Sequence, residues 1–198
     1  MTGVKGAQAL RDFFFSFDGR EMAAAVSELG KVSSPAPDVT DWEAVEHDFN
    51  RLFVGPMALE APPYASVYLD PEPLLMGRET MAVRQVYAEL GLGSPDRNSL
   101  PEDHLALELD ASAVMISALE EEQNPELAEL WRVFLQDHLA GWIPGFIQRI
   151  QRTPDVHPVF AYVSDQLQAW LDAELTALEA STSGGEYNHC GGRYEDKA

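Results

Sequence analysis

The sequence predicts an all-α fold, a single helical domain of two lobes joined by a hinge, and three observations carry that expectation. Apolar residues recur at spacings of three and four, capping residues and prolines punctuate the pattern, and neither strand–helix alternation nor an internal repeat is visible. With 198 residues, 45% of them apolar, the chain is long enough to bury a sizeable core without disulfide staples. The expected layout is an N-lobe over residues 1–92, a hinge over 93–100, a C-lobe over 101–182 and a flexible tail over 183–198.

Residues 7–17 and 21–29 read as short helices, and Ser33-Ser-Pro-Ala-Pro-Asp38 as a loop. Asp41 is placed to cap a helix through Trp42, Val45, Phe49, Leu52 and Phe53. Residues 55–73 carry Pro56, Pro62, Pro63, Pro71 and Pro73, which predicts an extended connection with Val67-Tyr-Leu69 as a candidate strand. Helix returns over 74–91 and ends at Gly91, before a loop at Gly93-Ser-Pro-Asp-Arg-Asn98. Ser99-Leu-Pro-Glu102 has capping-box spacing and opens a helix through Leu105, Leu109, Met115 and Leu119. Asn124-Pro125 starts the next, running through Leu127, Trp131, Leu135 and Leu139. Gly141 and Pro144 should bend or interrupt it before Phe146 and Ile150. The last begins after Asp155 and carries Val159, Phe160, Val163, Leu167, Trp170, Leu171 and Leu178 on one face.

Charge excludes more than it identifies. Lys and Arg total 13 against 33 Asp and Glu, a net charge of −20, which disfavours nucleic acid and anionic membrane surfaces and favours basic partners. The acidity is focused: residues 101–130 hold nine carboxylates and no Lys or Arg. Glu120, Glu121 and Glu122 close a helix on the wrong side of its dipole. No signal-peptide pattern opens the chain, and no run reaches the ~18 apolar residues of a membrane span, so no membrane insertion is expected. The lone Cys190 fits a reducing compartment, and cytoplasm is the expectation. His189 beside it offers two ligands where zinc takes three or four, so no metal site is assigned.

Nucleotide loops, nucleophile elbows, H-E-x-x-H and paired C-x-x-C motifs are all absent, and the one E-x-x-H joins Glu186 to His189 in the tail. No catalytic residue is assigned. Two polar constellations remain. His104 and Glu108 share a helix face, either as a dipole-complementing N-terminus in which Glu108 satisfies His104 or as a ligand pair. His138 and Trp142 are four apart before Pro144, a spacing that suits a hydrogen-bonded core histidine. A small metal-dependent hydrolase using His104, Glu108 and His138 is the competing enzymatic reading.

Four blocks together resemble a known family: Phe49-Asn-Arg-Leu-Phe-Val-Gly-Pro56, Ala61-Pro-Pro-Tyr-Ala-Ser-Val-Tyr-Leu69, Pro101-Glu-Asp-His-Leu-Ala-Leu-Glu-Leu109 and His138-Leu-Ala-Gly-Trp-Ile-Pro-Gly-Phe146. They look like the TorD/DmsD/NarJ family of cytoplasmic chaperones for molybdenum-cofactor oxidoreductases, all-helical proteins. The family's Pro-Asp-His motif appears with one residue inserted, as Pro101-Glu-Asp103-His104, and Asp110-Ala-Ser112 replaces the Met or Phe often found after the Glu-Leu pair.

The resemblance implies a non-enzymatic chaperone that binds the twin-arginine leader of a molybdoenzyme catalytic subunit and delays export until molybdopterin guanine dinucleotide is inserted. That cofactor is the client's, and none is expected to stay on the chaperone. Some relatives instead mature a nitrate reductase without an exported leader. On this resemblance Glu102, Asp103 and His104 bind the leader, with the carboxylates of Glu102 and Asp103 meeting its arginines, and Tyr64, Tyr68, Trp142 and Phe146 line the apolar groove. Ser66, Glu108, His138 and Pro144 support them. Monomer and domain-exchanged dimer both remain open.

Overall fold

The computed structural model describes residues 3–71, 77–92 and 100–183, and these are helices and loops with one isolated antiparallel bridge, Tyr64 to His104. Helix α1 (Gly3–Phe14) buries Ala7, Leu10, Phe13 and Phe14. Asp18 caps α2 (Gly19–Val32) by accepting from the backbone N–H groups of Arg20 and Glu21. The expected Asp41 cap is present on α3 (Trp42–Phe49), accepting from Ala44 N at 3.0 Å, and the helix runs on into a π segment, Asn50–Val54. Then follow α4 (Ser66–Leu69), α5 (Arg78–Glu89), α6 (Leu105–Glu121) and α7 (Pro125–Val133), whose Asn124 cap and first-turn proline match the sequence signal. A second π segment, Phe134–Leu139, leads into α8 (Ala140–Arg152), and α9 (Val159–Ser183) completes the order.

The core joins early and late helices. Helix α1 packs on α2, α6 and α9. Edge-on aromatic pairs link Phe13 to Phe49 and Phe160, and Phe14 to Phe53 and Phe146, at centroid distances of 5.6–5.9 Å. Trp170 Nε1 donates to Gly3 O at 3.1 Å, tying α9 to the start of α1. The chain segments on either side of residues 93–100 therefore share one core. Of that expected hinge, residues 93–99 lie outside the described residues, as do 184–198 with Cys190 and His189; Ser183, the first residue of the expected tail, ends α9. Among the described residues no helix is long and apolar enough to cross a membrane.

Three local expectations are corrected. Val67-Tyr-Leu69 is not a strand but part of the helical turn α4, whose first N–H is held by a distant carboxylate. The helix after Pro101 starts only at Leu105: Ser99 is outside the described residues, Pro101 to His104 form a turn, and His104 is the cap, its Nδ1 accepting from Ala106 N at 3.1 Å. Gly141 and Pro144 do not interrupt the helix: both sit inside α8. The irregularity falls just before it, where Ala140 N reaches back to Leu135 O, a π-type bond one turn ahead of the residue that lacks an N–H.

Candidate functional site

The Pro-rich segment 61–69 is stitched onto the turn that opens α6. Ala65 N donates to Asp103 O at 3.0 Å and Leu105 N to Pro63 O at 2.9 Å, which forms the Tyr64–His104 bridge. Asp103, with no solvent exposure, completes the seam through its side chain. Its Oδ2 accepts from Ser66 N and its Oδ1 from the Thr80 hydroxyl, both at 2.9 Å. Segment 61–69, the α6 turn and α5 thus converge on one buried carboxylate. Satisfying it with two donors offsets the cost of burying it.

Glu102 lies beside it and faces α5. Arg84 Nε and Nη2 donate to its two carboxylate oxygens at 2.8 and 2.9 Å, a fork-to-fork pair, while Tyr87 Oη donates to Glu102 O at 3.0 Å. Glu102 is buried, whereas the Arg84 side chain is 37% exposed.

Glu108, also without exposure, does not satisfy His104 as the shared helix face suggested. It reaches α8 and the π segment before it: His138 Nε2 pairs with its Oε1 at 2.7 Å and Trp142 Nε1 donates to its Oε2 at 3.0 Å. Glu79 stands 3.8 Å from the other ring nitrogen of His138, which stacks on Phe134 at 5.3 Å. Burial raises the Glu108 pKa against the pull of His138 and Trp142. Burial alone would lower that of His138, but the charge and hydrogen bond of Glu108, with Glu79 and Asp103 behind them, reverse the sign and raise it.

The aromatic residues divide. Tyr64 and Tyr68 are partly exposed, whereas Trp142 and Phe146 are fully buried and line no open groove. Tyr68 packs on Trp142 at 5.5 Å, donates to Pro62 O at 3.0 Å and lies 4.9 Å under the Arg149 guanidinium. Its close approach to α8 depends on Gly145, where an added Cβ would lie 3.3 Å from the Tyr68 ring. Pro144 shares the helix with these contacts and touches none of the polar network by hydrogen bond.

The structure therefore brings together Tyr64, Ser66, Glu102, Asp103 and His104 at the seam, and Glu108, His138 and Trp142 one turn further along α6. Thr80, Arg84 and Glu79 on α5 were missed from sequence. Thr80, Arg84 and Tyr87 sit at positions i, i+4 and i+7, so their common helix face was legible although their partners were not. Among the described residues no group of three His, Cys, Asp or Glu side chains is arranged to hold a metal ion, and the proposed trio of His104, Glu108 and His138 is split by the bond from Ala106 N to His104.

His104 carries a pH prediction. Burial lowers its pKa from 6.5 to about 4, so the folded protein holds it neutral, as its role as acceptor requires. A depressed folded-state value means that this contribution is complete above pH 6.5 and is lost as pH falls toward 4. The full loss is on the order of 3 kcal/mol. Urea unfolding across that window is expected to show His104→Asn, which keeps a capping oxygen, losing less stability than wild type; identical pH dependence would contradict the assignment.

Comparison with known proteins gives a consistent result. The profile of the family described as nitrate reductase delta subunit matches residues 18–148. The chaperone protein TorD of Psychrobacter sp. is 32% identical over 149 residues, 73% of this chain and 66% of that protein. The Tat proofreading chaperone DmsD of Salmonella typhi is 36% identical over 105 residues, 53% of this chain and 48% of that protein. The matched segments thus span from about half to just under two thirds of these curated relatives. A redox enzyme maturation protein of Archaeoglobus fulgidus, 17% identical, superposes with a TM-score of 0.61 over 87% of this chain and 96% of its own, which shows a shared fold. With the Pro101-Glu-Asp-His104 turn seated against segment 61–69, this all-helical chain belongs to the TorD/DmsD/NarJ family of redox-enzyme maturation proteins.

Proposed function

We propose that the protein is a cytoplasmic maturation chaperone, acting by binding rather than catalysis, that captures the twin-arginine leader of a molybdoenzyme catalytic subunit while the client receives molybdopterin guanine dinucleotide. The observation that carries this reading is the Glu102–Arg84 fork: the motif turn holds a buried carboxylate already paired with a guanidinium whose side chain reaches solvent. A leader arginine exchanges with Arg84 at that seat, and the partly exposed Tyr64 and Tyr68 offer apolar surface beside it. Asp103 and His104 hold the turn in shape.

The test is titration of a labelled twin-arginine leader peptide. Glu102→Gln is expected to weaken binding about tenfold or more, and Arg84→Ala to strengthen it by removing a competing guanidinium. Unchanged affinity in folded Glu102→Gln protein overturns the seat. The matching profile, described as nitrate reductase delta subunit, favours a second reading: assembly of a nitrate-reductase-type enzyme through its body. Mass spectrometry of the co-purified client separates the two, since it either carries an uncleaved leader or does not.

A further inference from the structure

A second surface has the opposite bonding state from the motif turn. An open groove of about 450 Å³ runs between α6, α7 and α9, with Ile116, Leu119, Trp131 and Leu178 on its apolar wall and Glu120 and Glu174 beside them. Glu174 is 9% exposed, yet forms no hydrogen bond or ion pair with any described residue. Burial and the neighbouring Glu120 charge raise its pKa, and the chain's N-terminal charge opposes them. Glu120 is exposed and likewise without a hydrogen-bond or ion-pair partner among the described residues. Among the described residues, the three helices that line the groove supply no cation to either carboxylate. Helices α6 and α9 carry four carboxylates each and no Lys or Arg, and the one arginine of α7, Arg132, is held by Glu129 at 2.6 Å.

We infer that this groove is a docking site for a basic amphipathic helix of a partner polypeptide, its apolar stripe on Ile116, Leu119, Trp131 and Leu178 and its Arg or Lys side chains on Glu120 and Glu174. Charge complementarity selects a cationic occupant. The groove's walls select a helical one: helix sides have their backbone groups internally bonded, so an extended strand finds no ladder there, whereas a helix brings its own. Glu120 lies at the C-terminal end of α6, where its charge opposes the helix dipole, and a bound cation relieves that repulsion. The inference does not depend on the leader reading, which concerns the opposite end of α6.

The test is fluorescence anisotropy of the full chain with a labelled peptide exceeding the ~15 residues at which isolated helices are marginal, bearing a leucine stripe flanked by two arginines, and with its counterpart carrying Glu at both arginines. The arginine peptide is expected to bind at least about tenfold more tightly, with Glu120→Lys and Ala128→Trp, both at exposed positions of the groove, each weakening it about tenfold. Glu174→Gln is expected to weaken it too, and Glu102→Gln to leave it unchanged. Equal affinity for the two peptides, or no effect of Glu120→Lys and Ala128→Trp in folded protein, overturns the site. A dimer in sedimentation that Ala128→Trp abolishes assigns the groove to a second copy and also overturns it.

Discussion

Replacing Asp103 with alanine is expected to destabilise the protein by about 3–5 kcal/mol, since two hydrogen bonds to a charged acceptor contribute about 1.5–3 kcal/mol each. The Ser66 N–H and the Thr80 hydroxyl both lose their acceptor at a position sealed from water, and the seam joining segment 61–69, the α6 turn and α5 loses its centre. Asp103→Asn retains one oxygen for Ser66 N, and its loss should be roughly half as large. Urea unfolding of Asp103→Ala, Thr80→Val and the double variant gives the coupling directly, expected at about 1–2 kcal/mol. A loss below about 1 kcal/mol for Asp103→Ala would show that the turn stands without it. Leader binding lost in Asp103→Ala therefore reports on the shape of the turn, and Glu102→Gln is the cleaner probe of contact with a leader arginine.

Glu108→Ala is the other large effect, about 3–5 kcal/mol, the range for removing one partner of a buried charged pair. His138 Nε2 and Trp142 Nε1 lose their common acceptor, and α6 loses its polar tie to α8 and the π segment before it. A second readout separates this from simple packing loss. Without the Glu108 charge, burial dominates and the His138 pKa falls from its raised value, which a histidine proton titration by NMR reads residue by residue. Glu108→Gln should also lower it while costing less stability. An unchanged His138 titration would sink the pairing as the cause of its shift. In the wild type the raised His138 value contributes stability that is complete below pH 6.5 and is lost as pH rises through the folded-state pKa, the reverse of His104.

Much of the helical order was legible because its signals are local. Asp41 and Asn124 cap helices through bonds two or three residues along the chain, and the apolar period of residues 159–171 reappears as the buried face of α9. The misread elements are held by non-local bonds. The α4 turn has its first N–H accepted by Asp103, 37 positions away, and its close packing on α8 depends on Gly145, a contact that leaves no trace in the periodicity of 66–69. The late start of α6 follows from His104 serving as its own cap once Leu105 N is taken by Pro63 O.

The candidate site was legible as a set of positions and not as a set of roles. Residues 101–109 could be marked as charge-rich and motif-bearing, yet a carboxylate is written identically whether it faces a partner's guanidinium, a backbone N–H or a neighbouring histidine. By itself the sequence determined the all-α class, the main caps, the family motifs and the concentration of acid over residues 101–130. Only the tertiary structure decided which carboxylates are committed inward, as Asp103 and Glu108 are, which is paired with a cation at the surface, as Glu102 is, and which lie beside an apolar groove without one, as Glu120 and Glu174 do. Helical periodicity depends on neighbours three and four residues away. Each of these committed carboxylates takes a partner at least 18 positions distant, and only the folded packing brings that partner within 3 Å.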